Sequence, residues 1–276
     1  MFKFDRSGKL KKTVFIVAGC FFLVPVFFAF AAIDLDSLSQ KDINMVRQVL
    51  AKLEPMIRER EANSTLATLT FEELYACLDE EESQFLKEFQ ELDAKALNVS
   101  IPFRGMATGE EPLVKIAGQR IAYIRIKKGS TRELGVQYLP STVYEKYKEM
   151  MQAMQKDIGK NLLVESGYRS SAYQLYLFVY YLKNHKYSIR ETVKFVALPG
   201  YSEHGAPLHQ AVDFINEYGI NGEYNTKEFE DLPEYRWLLA HAGEFGFVLS
   251  YPKMEKGSGI TFEPWHWRYD APGGGA

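Results

Sequence analysis

The stretch Glu263-Pro264-Trp265-His266-Trp267-Arg268-Tyr269 comes just before the glycine-rich tail, 271–276, of a 276-residue chain. A carboxylate stands three residues ahead of a histidine, and two tryptophans flank that histidine. Residues 261–269 are read as the last strand. On such a strand positions 263 and 266 face opposite ways unless the chain twists or bulges at Pro264.

Two stretches upstream give this one its context. The first is Ser202-Glu203-His204, followed by Ala211-Val212-Asp213. Residues 201–204 and 211–215 read as the two strands of a hairpin. The second is Ser166-Gly167-Tyr168-Arg169-Ser170, which follows a short apolar strand over 162–165. Asp213, at the end of an apolar strand, needs a cation or a donor as partner, because an unpaired buried carboxylate is costly. His185 and His241 lie on expected helices without such neighbours and read as packing or surface residues.

The remaining elements follow from spacing. Ile43, Val46, Leu50, Leu53 and Ile57 recur at helical intervals over 39–61, with Pro55 expected to bend or interrupt that helix. A second helix opens at Thr70, with Glu73 completing a capping box, and its apolar stripe runs on to Leu92. The acidic run 79–82 on this element reads as a solvated face. Residues 113–116 and 121–126 are β-branched runs read as strands. Ser141 is expected to cap a helix carrying the stripe Val143, Tyr147, Met150, Met151 and Met154, which Gly159 ends. Helices are expected over 172–183, at Ser188-Glu191 and over 234–244, and a strand over 247–251. Residues 216–233 read as irregular, and 253–259 as a turn. Helices mixed with hairpin strands predict an α+β fold, a small antiparallel sheet with flanking helices. The chain is divided into a leader, 1–33, a helical appendage, 34–108, a domain with the chemistry, 109–270, and a tail.

Lys3, Arg6, Lys9, Lys11 and Lys12 precede an almost wholly apolar run from 13 to 28, and Ala29-Phe30-Ala31 follows. That is the pattern of a signal peptide. The run 13–33 is also long enough to anchor the chain in a bilayer. Either reading exports the rest to the periplasm or cell envelope. Setting aside residues 1–31, with five basic residues and one acidic, lowers the formal net charge from −3 to −7. Such a charge gives no reason to expect nucleic acid as a partner. With Cys20 in the leader, Cys77 stands alone, and no intramolecular disulfide is expected.

Zinc takes histidine nitrogen and carboxylate oxygen, and a catalytic site supplies three protein ligands and keeps a fourth position open. His204, Asp213 and His266 fit that set. Glu263 is left as a carboxylate able to move a proton between water and a leaving amine. Arg169 offers a rigid, always-charged fork suited to a carboxylate, so a peptide with a free C-terminus is a natural substrate.

Taken in order, Ser166-Gly167-Tyr168-Arg169-Ser170, Ser202-Glu203-His204 with Ala211-Val212-Asp213, and Glu263 to Tyr269 resemble the zinc D-alanyl-D-alanine carboxypeptidase family. That family includes the vancomycin-resistance D,D-carboxypeptidase and related peptidoglycan peptidases. The resemblance covers about 110–270, and Gly246-Phe247 with Ser250-Tyr251-Pro252 adds to it. It implies zinc on His204, Asp213 and His266, with Glu263 as base beside the metal. It implies Arg169 as a catalytic and substrate-holding residue, with Ser170, Gln174, Ser202, Tyr251 and Trp265 around the substrate, a peptidoglycan stem peptide. It also implies a small α+β fold. One departure is present: eight residues separate His204 from Asp213 where the family has six, and this brings in His209 as a second candidate ligand. On residue parity alone His209 shares a strand face with Asp213, so both histidines stay open here. The function implied is removal of a terminal D-Ala. An endopeptidase cutting cross-links is the neighbouring alternative. A non-catalytic cell-wall binding module that keeps zinc structurally is the distant one, and it has no need of Glu263.

Overall fold

A computed structural model describes residues 33–123, 130–206, 208–253 and 261–270. The leader, the end of the strand expected over 121–126, most of the turn expected over 253–259 and the tail lie outside the described residues. Among the described residues no helix is long and apolar enough to cross a membrane.

Ser39 caps α1, Gln40–Ala62, in a reciprocal box with Asp42. The helix buries Val46, Val49, Leu53 and Ile57 and runs through Pro55 without a break. Pro55 and Ala51 both lie on the exposed side, where water can take the Ala51 carbonyl that Pro55 cannot serve. The long second helix is in fact two, α2, Phe71–Ala76, and α3, Glu80–Gln90. Asp79 ends the first run because its carboxylate accepts from Glu82 N and opens a new capping box. The acidic run is therefore not simply a solvated face. Glu82 is buried and held by Lys52 Nζ at 2.6 Å and Gln48 Nε2 at 2.7 Å.

Next come β1, Leu113–Ile116, β2, Arg120–Tyr123, β3, Ser130–Glu133, and β4, Gln137–Pro140. β1 pairs with β4 and β2 with β3, both antiparallel. The third and fourth were not expected from their mixed polar composition. Helix α4, Ser141–Ile158, has Pro140 rather than Ser141 at its cap and ends at Gly159 with φ 67°. The main sheet has the order β5-β6-β8-β7 and is antiparallel throughout. Its strands are β5, Leu162–Ser166, β6, Ala211–Asn216, β7, Phe247–Leu249, and β8, His266–Tyr269. Between them lie α5, Ser171–Tyr181, α6, Ile189–Thr192, α7, Gly222–Glu230, and α8, Pro233–His241. Residues 222–230 are helical although their composition reads as irregular. Asn221 supplies the cap, its side chain accepting from Tyr224 N.

Two hydrophobic cores result. One joins Val46, Leu53, Leu86 and Phe89 of α1 and α3 to Leu175 and Phe178 of α5. The other packs Met150, Met154 and Trp237 of α4 and α8 under Val164, Phe214 and Trp267 of the sheet. Because strand side chains alternate, burying Val212, Phe214 and Trp267 on one face leaves Asp213 and His266 on the other. These two are directly opposite in register.

Candidate metal centre and active site

Asp213 on β6 and His266 on β8 meet across the sheet because their register is fixed on both sides by buried neighbours. His204 reaches them differently. Residues 203–205 form a 3-10 turn, not the strand of a hairpin. A turn can aim one side chain at the sheet without any parity constraint, which resolves the odd spacing between 204 and 213. Gly205 makes the approach possible. A Cβ there would lie 2.7 Å from the Arg169 carbonyl, and the adjoining backbone bond runs from Arg169 N to His204 O at 3.0 Å.

His204, Asp213 and His266 present ligand atoms that all lie within 4.8 Å of one another. His204 Nδ1 donates to the Gly167 carbonyl at 2.7 Å, which leaves Nε2, 3.2 Å from Asp213 Oδ2, as the nitrogen available to a metal. His266 is turned the other way. Its Nδ1 faces Asp213 Oδ1 at 2.8 Å, and its Nε2 meets Glu203 Oε2 at 3.1 Å. Two nitrogens and a carboxylate converge, each histidine held through its other nitrogen. That donor set and its outer support suit zinc.

The electrostatics agree with the geometry. Burial alone would raise the Asp213 carboxyl, but the two histidines outweigh it and hold it well below the usual range. Burial would lower His266, but Asp213 and Glu203 push it up to about 10. His204 is lowered by burial and by the nearby Arg169 charge. Uptake of a cation by such a group displaces protons.

Glu263 does not sit on a strand. Its N–H donates to the Tyr251 carbonyl at 3.1 Å, and His266 N donates back to the Glu263 carbonyl at 3.1 Å. This closes a turn at Pro264-Trp265 and places Glu263 Oε2 3.9 Å from His266 Nδ1. The strand expected over 261–269 is thus only its second half, and the parity objection disappears with the first. Burial raises the Glu263 carboxyl. The Tyr251 ring lies 5.0 Å from the His266 ring. Trp265 packs on Gly222, where a Cβ would fall 1.8 Å from its ring.

Arg169 lies in the loop between β5 and α5. Its Nε is buried without a hydrogen-bond partner, and burial lowers the guanidinium's affinity for its proton. Ser202 and Gln174 are buried. Gln174 Nε2 donates to the Ala197 carbonyl at 2.8 Å, while its Oε1 is unpaired. Ser170, expected beside the substrate, is instead wholly buried. Its hydroxyl caps α5 by accepting from Tyr173 N and donates its one proton to the Leu69 carbonyl at 2.5 Å, so it has no proton left to donate to a ligand. His209 turns away from the centre, with Nδ1 2.7 Å from Asp270 Oδ1.

Two residues that sequence reasoning passed over also belong here. Glu203 was quoted only as the residue before His204, and Arg104 fell unremarked within the segment 34–108. Arg104 Nη2 donates to Glu203 Oε1 at 2.9 Å. The one signal available for Glu203 was a charged residue inside a motif of ligands, and Arg104 offered none.

A family model described as VanY: D-alanyl-D-alanine carboxypeptidase matches residues 136–272. The bifunctional D-Ala-D-Ala dipeptidase and D-Ala-D-Ala carboxypeptidase VanXYC of Enterococcus gallinarum is 31% identical over 133 residues, 48% of this chain and 67% of that protein. The chain belongs to the VanY D-alanyl-D-alanine carboxypeptidase family. The VanY match takes in Arg169, His204, Asp213, Glu263 and His266 and leaves out Arg104. A D-alanyl-D-alanine carboxypeptidase of Enterococcus faecium is 32% identical over 134 residues, 48% of this chain but 37% of its own length. Among solved structures, the LdcB LD-carboxypeptidase aligns over 61% of this chain and 74% of its own, with 26% identity and a TM-score of 0.44. A variant of the vancomycin-resistance D,D-pentapeptidase VanY in complex with Zn(II) aligns over 48% and 73%, with 27% identity and a TM-score of 0.37.

Proposed function

We propose that this VanY-family chain is an exported zinc D,D-carboxypeptidase that removes the terminal D-Ala from peptidoglycan stem peptides. Export is supported by the basic region and apolar run of residues 3–31. The observation that carries the substrate reading is the buried, unpaired Nε of Arg169 beside the His204, Asp213 and His266 group. A buried guanidinium nitrogen without a partner is costly, and a peptide's terminal carboxylate is the ligand that satisfies it.

In this reading His204 through Nε2, His266 through Nδ1 and Asp213 hold the zinc. Zinc held there supplies Lewis-acid polarisation of a carbonyl and activates water at neutral pH. Arg169 fixes the C-terminal carboxylate and thereby sets which bond is presented. Glu263, with its proton affinity raised by burial, accepts a proton from the attacking water and returns it to the amine of the departing D-Ala. Tyr251, whose ring lies 5.0 Å from that of His266, walls the site.

The test compares a stem pentapeptide with a free C-terminus and its C-terminal amide, reading products by mass. Cleavage of the free peptide should exceed that of the amide. Arg169→Lys should erase most of the difference, because a point charge does not reproduce the fork. Equal cleavage of both, with release from cross-linked dimers, would replace the carboxypeptidase reading by the endopeptidase one.

A further inference from the structure

Glu203 is the one buried carboxylate of the centre to which the proposed chemistry gives no task. It is 4% exposed and both its oxygens are occupied. Oε2 faces His266 Nε2 at 3.1 Å. Oε1 accepts from Arg104 Nη2 at 2.9 Å, with Arg268 Nη1 at 3.8 Å. Arg268 is drawn off toward Asp270, to which it donates from Nε at 2.9 Å and from Nη2 at 3.1 Å. Arg104 is therefore the close cationic partner of Glu203. A buried carboxylate needs pairing of this kind to stay ionised, and an ionised carboxylate can only accept. His266 must then donate its Nε2–H to Glu203, and Nδ1, which donates to Asp213 while no cation is present, is the nitrogen left to give up its proton and act as a ligand when one binds.

Arg104 does not come from the sheet. It lies outside the matched family segment, in the strap that precedes β1. The strap is itself fixed. Arg104 N donates to the Gly200 carbonyl at 2.7 Å, and Ala107 exchanges bonds with Ser171 through Ala107 N to Ser171 Oγ and Ser171 N to the Ala107 carbonyl.

We propose that Glu203, clamped by Arg104 from the strap, is the positioning residue of His266, accepting its Nε2–H so that Nδ1 is presented to the metal. The N-terminal segment is then part of the metal centre's support and not merely an attached helical layer. This inference rests on the zinc reading above. The bland alternative is that Glu203 only neutralises Arg104 and Arg268, and a charge count alone does not separate the two. Ring orientation and metal affinity do.

The experiment uses the full chain, stripped of metal and titrated with zinc against a chromophoric chelator. E203A, E203Q and R104M are compared with wild type, alongside melting of the metal-free proteins. Loss of an outer partner of a ligating histidine typically weakens metal binding about 10–100-fold. E203A should fall in that range. E203Q, whose amide oxygen still accepts from Nε2, should lose less, and R104M should lie between Q and wild type. The imidazole nitrogen spectrum of the zinc-bound wild type should show His266 protonated at Nε2, and E203A should lose that signature. Metal-free melting should change little by comparison. Wild-type zinc affinity in E203A, or losses in all variants that merely track metal-free unfolding, would overturn the positioning role. A wild-type chain that takes up no zinc would overturn the metal reading as well, so the two failures are distinguishable.

Discussion

The two hydrophobic cores support different kinds of surface. The core beneath the sheet lies under two strands in strict register, and their outer face presents Asp213 and His266 as a cross-strand pair. The core of α1, α3 and α5 presents backbone and loops. From its side, Ala67 O takes Ser170 N at 2.8 Å, Leu69 O takes the Ser170 hydroxyl, and Gly109 N donates to the Tyr168 hydroxyl at 2.9 Å. The first half places ligand atoms, and the second braces the loop that carries Arg169. The lesson is that the paired ligands Asp213 and His266 follow from strand geometry, whereas the rigidity of the Arg169 loop depends on contacts from a part of the chain with no recognisable chemistry of its own.

The largest test of this division is loss of the metal itself. His204→Ala should lose most of its bound zinc and all measurable peptidase activity. His209→Ala should keep the metal and lose activity only in part, since His209 is committed to Asp270. Metal content measured on the purified variants decides between them. Loss of zinc from His209→Ala and not from His204→Ala would break the assignment of ligands to the sheet and the 3-10 turn.

Next in size is Glu263→Gln, which keeps shape and removes the proton acceptor. Turnover should drop by roughly 10²–10⁴, the usual worth of general acid–base catalysis, while zinc stays bound. A variant with normal turnover would move the base elsewhere.

The smallest effect probes the bracing half. Burial alone would raise the Glu111 carboxyl, but hydrogen bonds from the Tyr168 hydroxyl and from the N–H groups of Thr108 and Gly109 outweigh it and hold it below the ordinary range. A folded-state pKa below the unfolded one gives stability that is present above the unfolded value and lost as pH falls through the folded one. The melting temperature of wild type should therefore fall more steeply than that of Glu111→Gln as pH drops from about 5 toward 3, the side of the ordinary glutamate value of about 4.3 on which the bonds are lost. Parallel curves would remove Glu111 from the brace.

Much of the fold was legible. The methionine stripe and Gly159 marked α4. In three places a local signal was present but outweighed. Asp79 with Glu82 is a capping box inside what otherwise looked like one continuous apolar stripe. Asn221 before Gly222 is a cap in a segment poor in apolar residues. The run 201–204 was given a strand's period although three residues around a glycine suit a turn better. Ser170 was placed at the substrate by its motif, yet what decides its role is a carbonyl at Leu69, in a segment whose sequence says nothing about a partner 101 positions away. Arg104 was unreadable for the same reason. Motifs report ligand chemistry, and bracing contacts depend on tertiary neighbours alone.

The spans of these contacts have a kinetic consequence. The Arg104–Glu203 bond joins residues 99 positions apart and the Ser170–Leu69 bond 101. Contacts of high sequence separation require the intervening chain to be closed before they return any energy, and they form slowly. Helices α1, α4 and α5 are local and can form early, whereas Glu203 can be clamped only once the strap has docked on the collapsed sheet. A chain interrupted on the way to the native state would thus show most of its helix content while its histidines had not yet been brought into register. Contacts of such span predict that the fully supported metal site is completed late in folding.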